Sequence, residues 1–342
     1  SGAEGGGEIL VGGNKLGQGP EQNASITIIS SDVTISADAS EDGRGGKVIV
    51  WSDEYTKFSG EITARGGENS GDGGFIETSS KGRLDVAGSA DASASNGNGG
   101  SWLLDPQNIT INSGSTDDIV DAVDGGDGFD FTLNAESGGA NESVISVTTI
   151  QNALHAGNNV VIDTASNGGG VTDSGAGNIT VTGEITMNSG LTRNQTLTLT
   201  ASNNIDIDAN ISAVGDTLNL TLNAAGVIDL GADITLNGGT FIASNAVDLS
   251  TDVTINSGGG AIRFDSTVNG NQNLTLVAGG GNIDFNAAVG ASTALNALAI
   301  SSARNVTADS TIAATSLSQT TGTGTTTLSG GVTTSSSTTI ST

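Results

Sequence analysis

One spacing dominates the second half of this chain: an apolar residue, a second two places on, and a third six places on from the first. It is met by Ile179/Val181/Ile185, Ile205/Ile207/Ile211, Ile228/Leu230/Ile234 and Val247/Leu249/Val253. It returns at Ile262/Phe264/Val268, Ile283/Phe285/Val289 and Val306/Ala308/Ile312, with a degenerate copy at Thr326/Leu328/Val332. Successive copies start 26, 23, 19, 15, 21, 23 and 20 residues apart. Looser copies precede them at Val33/Ile35/Ala39, Thr56/Phe58/Ile62 and Leu84/Val86/Ala90. Alternating strands such as QTLTLTA (195–201), LNLTLNA (218–224) and QNLTLVA (272–278) run between copies, and the turns are rich in Gly and Asn.

Short strands of period two at a regular step of about 21 residues describe stacked coils. The sequence therefore predicts an all-β fold, a right-handed parallel β-helix in which inward aliphatic residues stack from coil to coil. Roughly 16 coils at about 4.8 Å per rung give a rod on the order of 75–80 Å. The 15-residue step is short for a full coil. A β-sandwich also has short strands and frequent turns, but has no reason to reuse one template eight times in succession.

Composition agrees with a thin, regular core, since aromatic residues are only 3% of the chain. The 53 glycines follow no Gly-X-Y period, which excludes collagen. With 37 acidic and 10 basic residues the net charge is −27, a surface that repels phosphate backbones, so nucleic acid is not an expected partner. The absence of cysteine removes disulfides, thiol catalysis and cysteine metal sites, and suits an extracellular bacterial protein. No run of 18 apolar residues is present. The chain starts at Ser1 with no signal peptide, as a mature fragment would.

Three stretches depart from the repeat. Residues 115–142 are strongly acidic and read as a loop excursion, and 147–163 reads as a short helix running into a strand. Helix formers occupy 151–156, with Thr148 or Thr149 as N-cap and Gly157 as the stop. Residues 315–342 are dominated by Ser and Thr, as thin terminal coils or a frayed tail would be. The expected organisation is coils over 1–112, the excursion and helix over 113–160, and repetitive coils over 161–342.

The stretch GGSWLLDPQNITI (99–111) holds one of two tryptophans and one of two prolines. Together with GGKVIVWSDEYTKFSGEITARGG (45–67) and GDGGFIETSSKGRLDVAG (71–88), it resembles the filamentous-haemagglutinin-like family of very large exoproteins. The resemblance is specific over the first 112 residues and compositional beyond. It implies a β-helical shaft, adhesive or structural work, and a place outside the cell or on the outer-membrane surface of a Gram-negative bacterium. It also implies export through an outer-membrane two-partner transporter, and contacts with host, cell surface or self. On the residues themselves, Trp102 or Leu103 points inward, Asp105 caps backbone amides, and Pro106 closes the strand because it has no N–H to donate.

A carbohydrate-active β-helix enzyme is the rival reading, and it needs carboxylates and a base converging on one exposed face. The residues that follow the first apolar position of each copy include Asp206, Asp229, Asp248, Arg263 and Asp284. In register they make an acidic ladder with Arg263 inside it, read as a solvated face before a weak calcium site and before catalysis. GGDGFDFTL (125–133) resembles a calcium-roll nonapeptide and makes Asp127 and Asp130 candidate calcium ligands. Trp51 and Tyr55 are read as an outward aromatic pair, either stacking on a sugar or covered by a neighbouring loop. His155 is the only histidine, and no nucleophile is marked beside it, so it reads as an ordinary surface or packing residue. Nine Asn-x-Ser/Thr sequons, among them Asn108, Asn178, Asn210, Asn273 and Asn305, mostly read as strand and turn grammar. Neither end carries an amphipathic cap, so the fragment is expected either to be cut from a longer shaft or to stack end to end as a homo-oligomer or filament.

Overall fold

The structure, a computed structural model, describes residues 1–114, 122–124, 129–131, 143–165, 177–188 and 194–341, with strand positions alone for 122–124 and 129–131. The repeat folds as the period requires. A twelve-stranded sheet, a ten-stranded sheet and an eight-stranded sheet run along the solenoid, with a three-stranded sheet on the third face at the N-terminal end. Every pairing in these four sheets is parallel. The first sheet is continuous from Glu8–Val11 to Thr326–Leu328.

Alternation decides which side chains enter. In Ile205–Ile207 and Ile228–Leu230 all three isoleucines and Leu230 are fully buried, while the aspartates between them face out. Ile179, Ile205, Ile228 and Val247 stack in exact sequence order through the ten-stranded sheet. Each such side chain removed from water is worth about 2 kcal/mol. Phe241, Phe264 and Phe285 form a second stack, with ring centroids 5.6 and 5.3 Å apart. At the outer corners, Asn side chains tie rung to rung: Asn178 Oδ1 accepts from the Asn204 N–H at 3.1 Å, and Asn204 Oδ1 from the Val227 N–H at 2.9 Å.

The number of coils differs from the sequence expectation. The first sheet holds twelve strands among the described residues, a stack of about 53 Å at ~4.8 Å per rung. A 21-residue step holds in the middle of the repeat, where Phe241, Ile262 and Ile283 are register partners. N-terminal coils are longer, for example from Lys47 to Phe75. The short step between Val247 and Ile262 is not a coil at all. Val247 lies in the ten-stranded sheet and pairs with Val268, whereas Ile262 lies in the twelve-stranded sheet. Two inward residues, a bend and one further inward residue describe any corner of the coil, so the template slips from one corner to another unnoticed. For the same reason the first loose copy belongs at Thr27 and Ile29, which pair with Thr56 and Phe58; Val33 is exposed.

One crossing is out of chain order. In the ten-stranded sheet Arg83–Val86 is followed by Ser143–Ser146, and only then by Ile109–Asn112 and Ile179–Val181. After Ser101–Asp105 the chain therefore climbs a rung at Pro106, and Ser143–Ser146 later returns to fill the rung below. The Ser143 hydroxyl accepts from the Leu84 N–H at 2.9 Å. Within 115–142 only Ala122–Asp124 and Phe129–Phe131 are described, as an antiparallel pair.

The returning strand feeds helix α1 (Val147–Ala156), which packs between the third-face strands Ser89–Asp91 and Ile185–Met187. Val147, Ile150, Ala153 and Leu154 point into the core. The helix begins earlier than its formers suggest. Ser146 is the N-cap, its hydroxyl accepting from the Thr148 N–H at 3.1 Å, while Thr148 and Thr149 lie inside. Gly157 ends it in the left-handed region at φ 105°, as expected of a helix stop. At the C-terminal end Ile312–Gln319 and Val332–Ile340 still pair in parallel, so the Ser/Thr-rich stretch forms coils, increasingly exposed.

Candidate functional site

The expected aromatic pair is not a surface. Trp51 and Tyr55 are each only 1% exposed, which removes them as a sugar platform. Trp51 does point away from the helical core, but the loop 12–23 lies over it. A Cβ built on Gly13 or Gly17 would fall 2.7 or 2.5 Å from the indole, so only glycine lets the loop come this close. The loop is held by the Asn23 amide donating to the Gly17 carbonyl at 3.0 Å and to Asp53 at 2.9 Å, and by the Ala24 N–H on the Gly12 carbonyl. Lys15 caps the Phe75 ring at 5.0 Å, and the Leu16 N–H donates to Glu77 Oε1 at 3.0 Å. Leu16 takes φ 56° to do so, a conformation that costs a branched residue about 1 kcal/mol.

Tyr55 is buried for a different reason. Its hydroxyl donates to Asp85 Oδ2 at 2.9 Å, and Arg83 closes on the same carboxylate at 3.0 Å and lies over the phenol ring. Arg83 and Asp85 are 6% and 3% exposed. Burial pushes the Asp85 carboxyl above its ordinary range, with Arg83 pulling against it, and burial followed by the Asp85 charge pushes the Tyr55 phenol up. This acid, base and phenol converge as an enzyme site would, but away from solvent, where they hold adjacent strands together.

The acidic ladder exists in part. Asp206, Asp229 and Asp248 are register partners on successive rungs of the ten-stranded sheet. Burial first, then Asp229 and Asp208, raise the Asp206 carboxyl. Asp284 does not continue this row. It pairs with Arg263 in the twelve-stranded sheet, and Arg263 makes its ion pair with Asp265, just past the end of its own strand, at 2.8 Å. The slipped corner of the template explains the split.

Asp127 lies outside the described residues. Asp130 falls in the short strand Phe129–Phe131, whose side chains also lie outside them. Among the described residues no three Asp, Glu or His side chains already stand as a metal cage. His155, half-buried, accepts at Nε2 from the Asn188 N–H at 3.1 Å. The sequon asparagines are occupied with neighbouring rungs: Asn108 Oδ1 takes the Gly177 and Asn178 N–H groups, Asn210 that of Asp233, and Asn305 that of Thr325.

Asp105 corrects the sequence reading most sharply. Trp102 and Leu104 are the inward residues of its strand, the indole donating to Thr78 Oγ1 at 2.9 Å. Asp105 faces the other way, fully buried, and caps nothing: neither carboxyl oxygen has a hydrogen-bond partner. Burial, then the charges of Asp163 and Glu77, push its pKa up to about 9. No sequence signal distinguishes it from an exposed turn aspartate, because its burial depends on strands and a loop distant in the chain.

A cleft of about 490 Å³ adjoins the helix, lined by Ser31, Ser59, Glu61, Ser89, Thr149 and Asn152 among others. Its walls are small and polar, with one carboxylate and no base. In comparison with known proteins, the chain matches no family model and no curated protein.

Proposed function

We propose that this chain is a rigid β-helical shaft of a secreted or cell-surface bacterial exoprotein, doing structural and adhesive work rather than catalysis. The observation that carries the reading is the unbroken parallel sheet from Glu8 to Leu328, in which one cross-section repeats rung upon rung. Such a stack transmits length and stiffness along one axis, which is what a spacer between a cell and its contact requires. The outward Asp206, Asp229 and Asp248 row and the net charge of −27 discourage lateral association of shafts. The motifs at 45–111 support the filamentous-haemagglutinin-like assignment, and with it export through an outer-membrane transporter.

Negative-stain electron microscopy of the purified chain tests the shaft directly. Straight, unbranched rods of uniform width, discrete or joined end to end, are expected. Globular particles, or beads on a flexible string, overturn it.

A further inference from the structure

Four buried side-chain oxygens without a well-formed hydrogen bond lie on the outer side of the first sheet: both carboxyl oxygens of Asp105, Ser79 Oγ and Glu77 Oε2. All three residues are fully buried. Ser79 and Asp105 are direct register partners on adjacent strands, so their side chains leave the same face about 4.8 Å apart. Leu104 pairs with Ile162, which places Asp163 on the next rung of the same row. Glu77 stands two residues before Ser79, on that face too. The Ser79 hydroxyl lies close enough to the Glu77 carboxylate to favour its charge, but makes no well-formed hydrogen bond with it.

Buried carboxylates persist when they are paired, protonated or bound to a metal. Among the described residues no cation acts on Asp105: Lys15 sits over Phe75, and Lys47 bonds Glu8 at 2.7 Å. A proton gives Asp105 a single O–H, which satisfies at most one of the other oxygens. A hard divalent cation takes carboxylate, hydroxyl and water oxygens together, at about 2.3–2.6 Å. We propose that Asp105, Ser79 and Asp163, with Glu77 on the diagonal, hold one calcium-sized cation, which pins the rung at which the chain crosses over. These three acids do not already stand as a cage, so binding requires their side chains to close on the ion. Asp163 is only half-buried and already turns one oxygen to the Ala165 N–H, so it stands at the solvent side, where the ion enters and the side chains close on it.

The test is calcium titration of the chelator-treated chain by calorimetry, with metal content after dialysis and thermal unfolding as second readouts. One calcium per chain is expected, with a rise in Tm that tracks occupancy. Asp105→Asn should abolish both, while Asp229→Asn, in the outer acidic row, should leave both unchanged. Should Asp105→Asn fail to fold, Ser79→Ala and Asp163→Asn should each weaken binding roughly tenfold or more. Stability that depends on pH but not on calcium overturns the proposal in favour of a protonated Asp105. Equal loss in Asp105→Asn and Asp229→Asn overturns it in favour of diffuse binding to an acidic surface.

Discussion

Asp105 is the residue whose ionisation the fold opposes most, and its effect on stability has a definite sign. A carboxyl whose pKa is raised on folding, here to about 9, favours the native state fully below the ordinary carboxylate pKa near 4. That contribution is lost as the pH rises from there towards 9. In chelator, Asp105→Asn should therefore match the parent's Tm near pH 4 and exceed it by a margin that grows up to pH 9 and is level beyond; a difference independent of pH would refute this. Trp51 supplies the opposite case, a large apolar side chain under a loop. Trp51→Ala should cost about 3–5 kcal/mol in chemical denaturation, with no change in affinity for glycans, since the ring is covered. Arg263 is nearly half exposed beside Asp265, and Arg263→Ala should change stability by less than about 1 kcal/mol.

At the scale of elements, α1 holds the third face where the three-stranded and eight-stranded sheets meet. Its end depends on one backbone conformation, because Gly157 sits at φ 105° with its N–H on the Leu154 carbonyl at 3.0 Å. Gly157→Ala should cost about 1 kcal/mol, read as a shift in the denaturation midpoint with unchanged slope. The Asn corners are a second element-level device. Asn204 both donates its own N–H to Asn178 and accepts the Val227 N–H, so it joins three successive rungs. The many Asn-x-Thr phrases are the visible trace of this, and the same asparagines would otherwise be mistaken for glycan acceptors.

For the whole molecule, cohesion passes only between neighbouring rungs, so damage should stay local. Phe264 lies between Phe241 and Phe285, and Phe264→Ala removes two ring contacts at once. About 3–5 kcal/mol should be lost, with amide exchange accelerated most over 241–285 and least over the N-terminal rungs at 47–105. Uniform acceleration along the chain would mean that the solenoid unfolds as one cooperative unit instead.

Much of this was legible in the chain itself. Period-two alternation, inward Ile and Val, Gly and Asn at the corners and the recurring step dictate stacked parallel coils, because a one-residue slip would expose every inward side chain. Gly157 as a helix stop was equally readable. What the pattern lacks is the identity of each corner: every bend looks alike along the chain, so the split of Asp284 from Asp206, Asp229 and Asp248, and the twelve rungs of the first sheet, emerge only from strand pairing. Burial of the outer face is likewise a tertiary property. Trp51 is covered by a loop some thirty residues earlier, and Asp105 is enclosed by strands from Phe75 to Asp163, groups that no local window contains. Local alternation determines which side of a strand faces inward, whereas only the assembled solenoid decides which outward side chains still meet water.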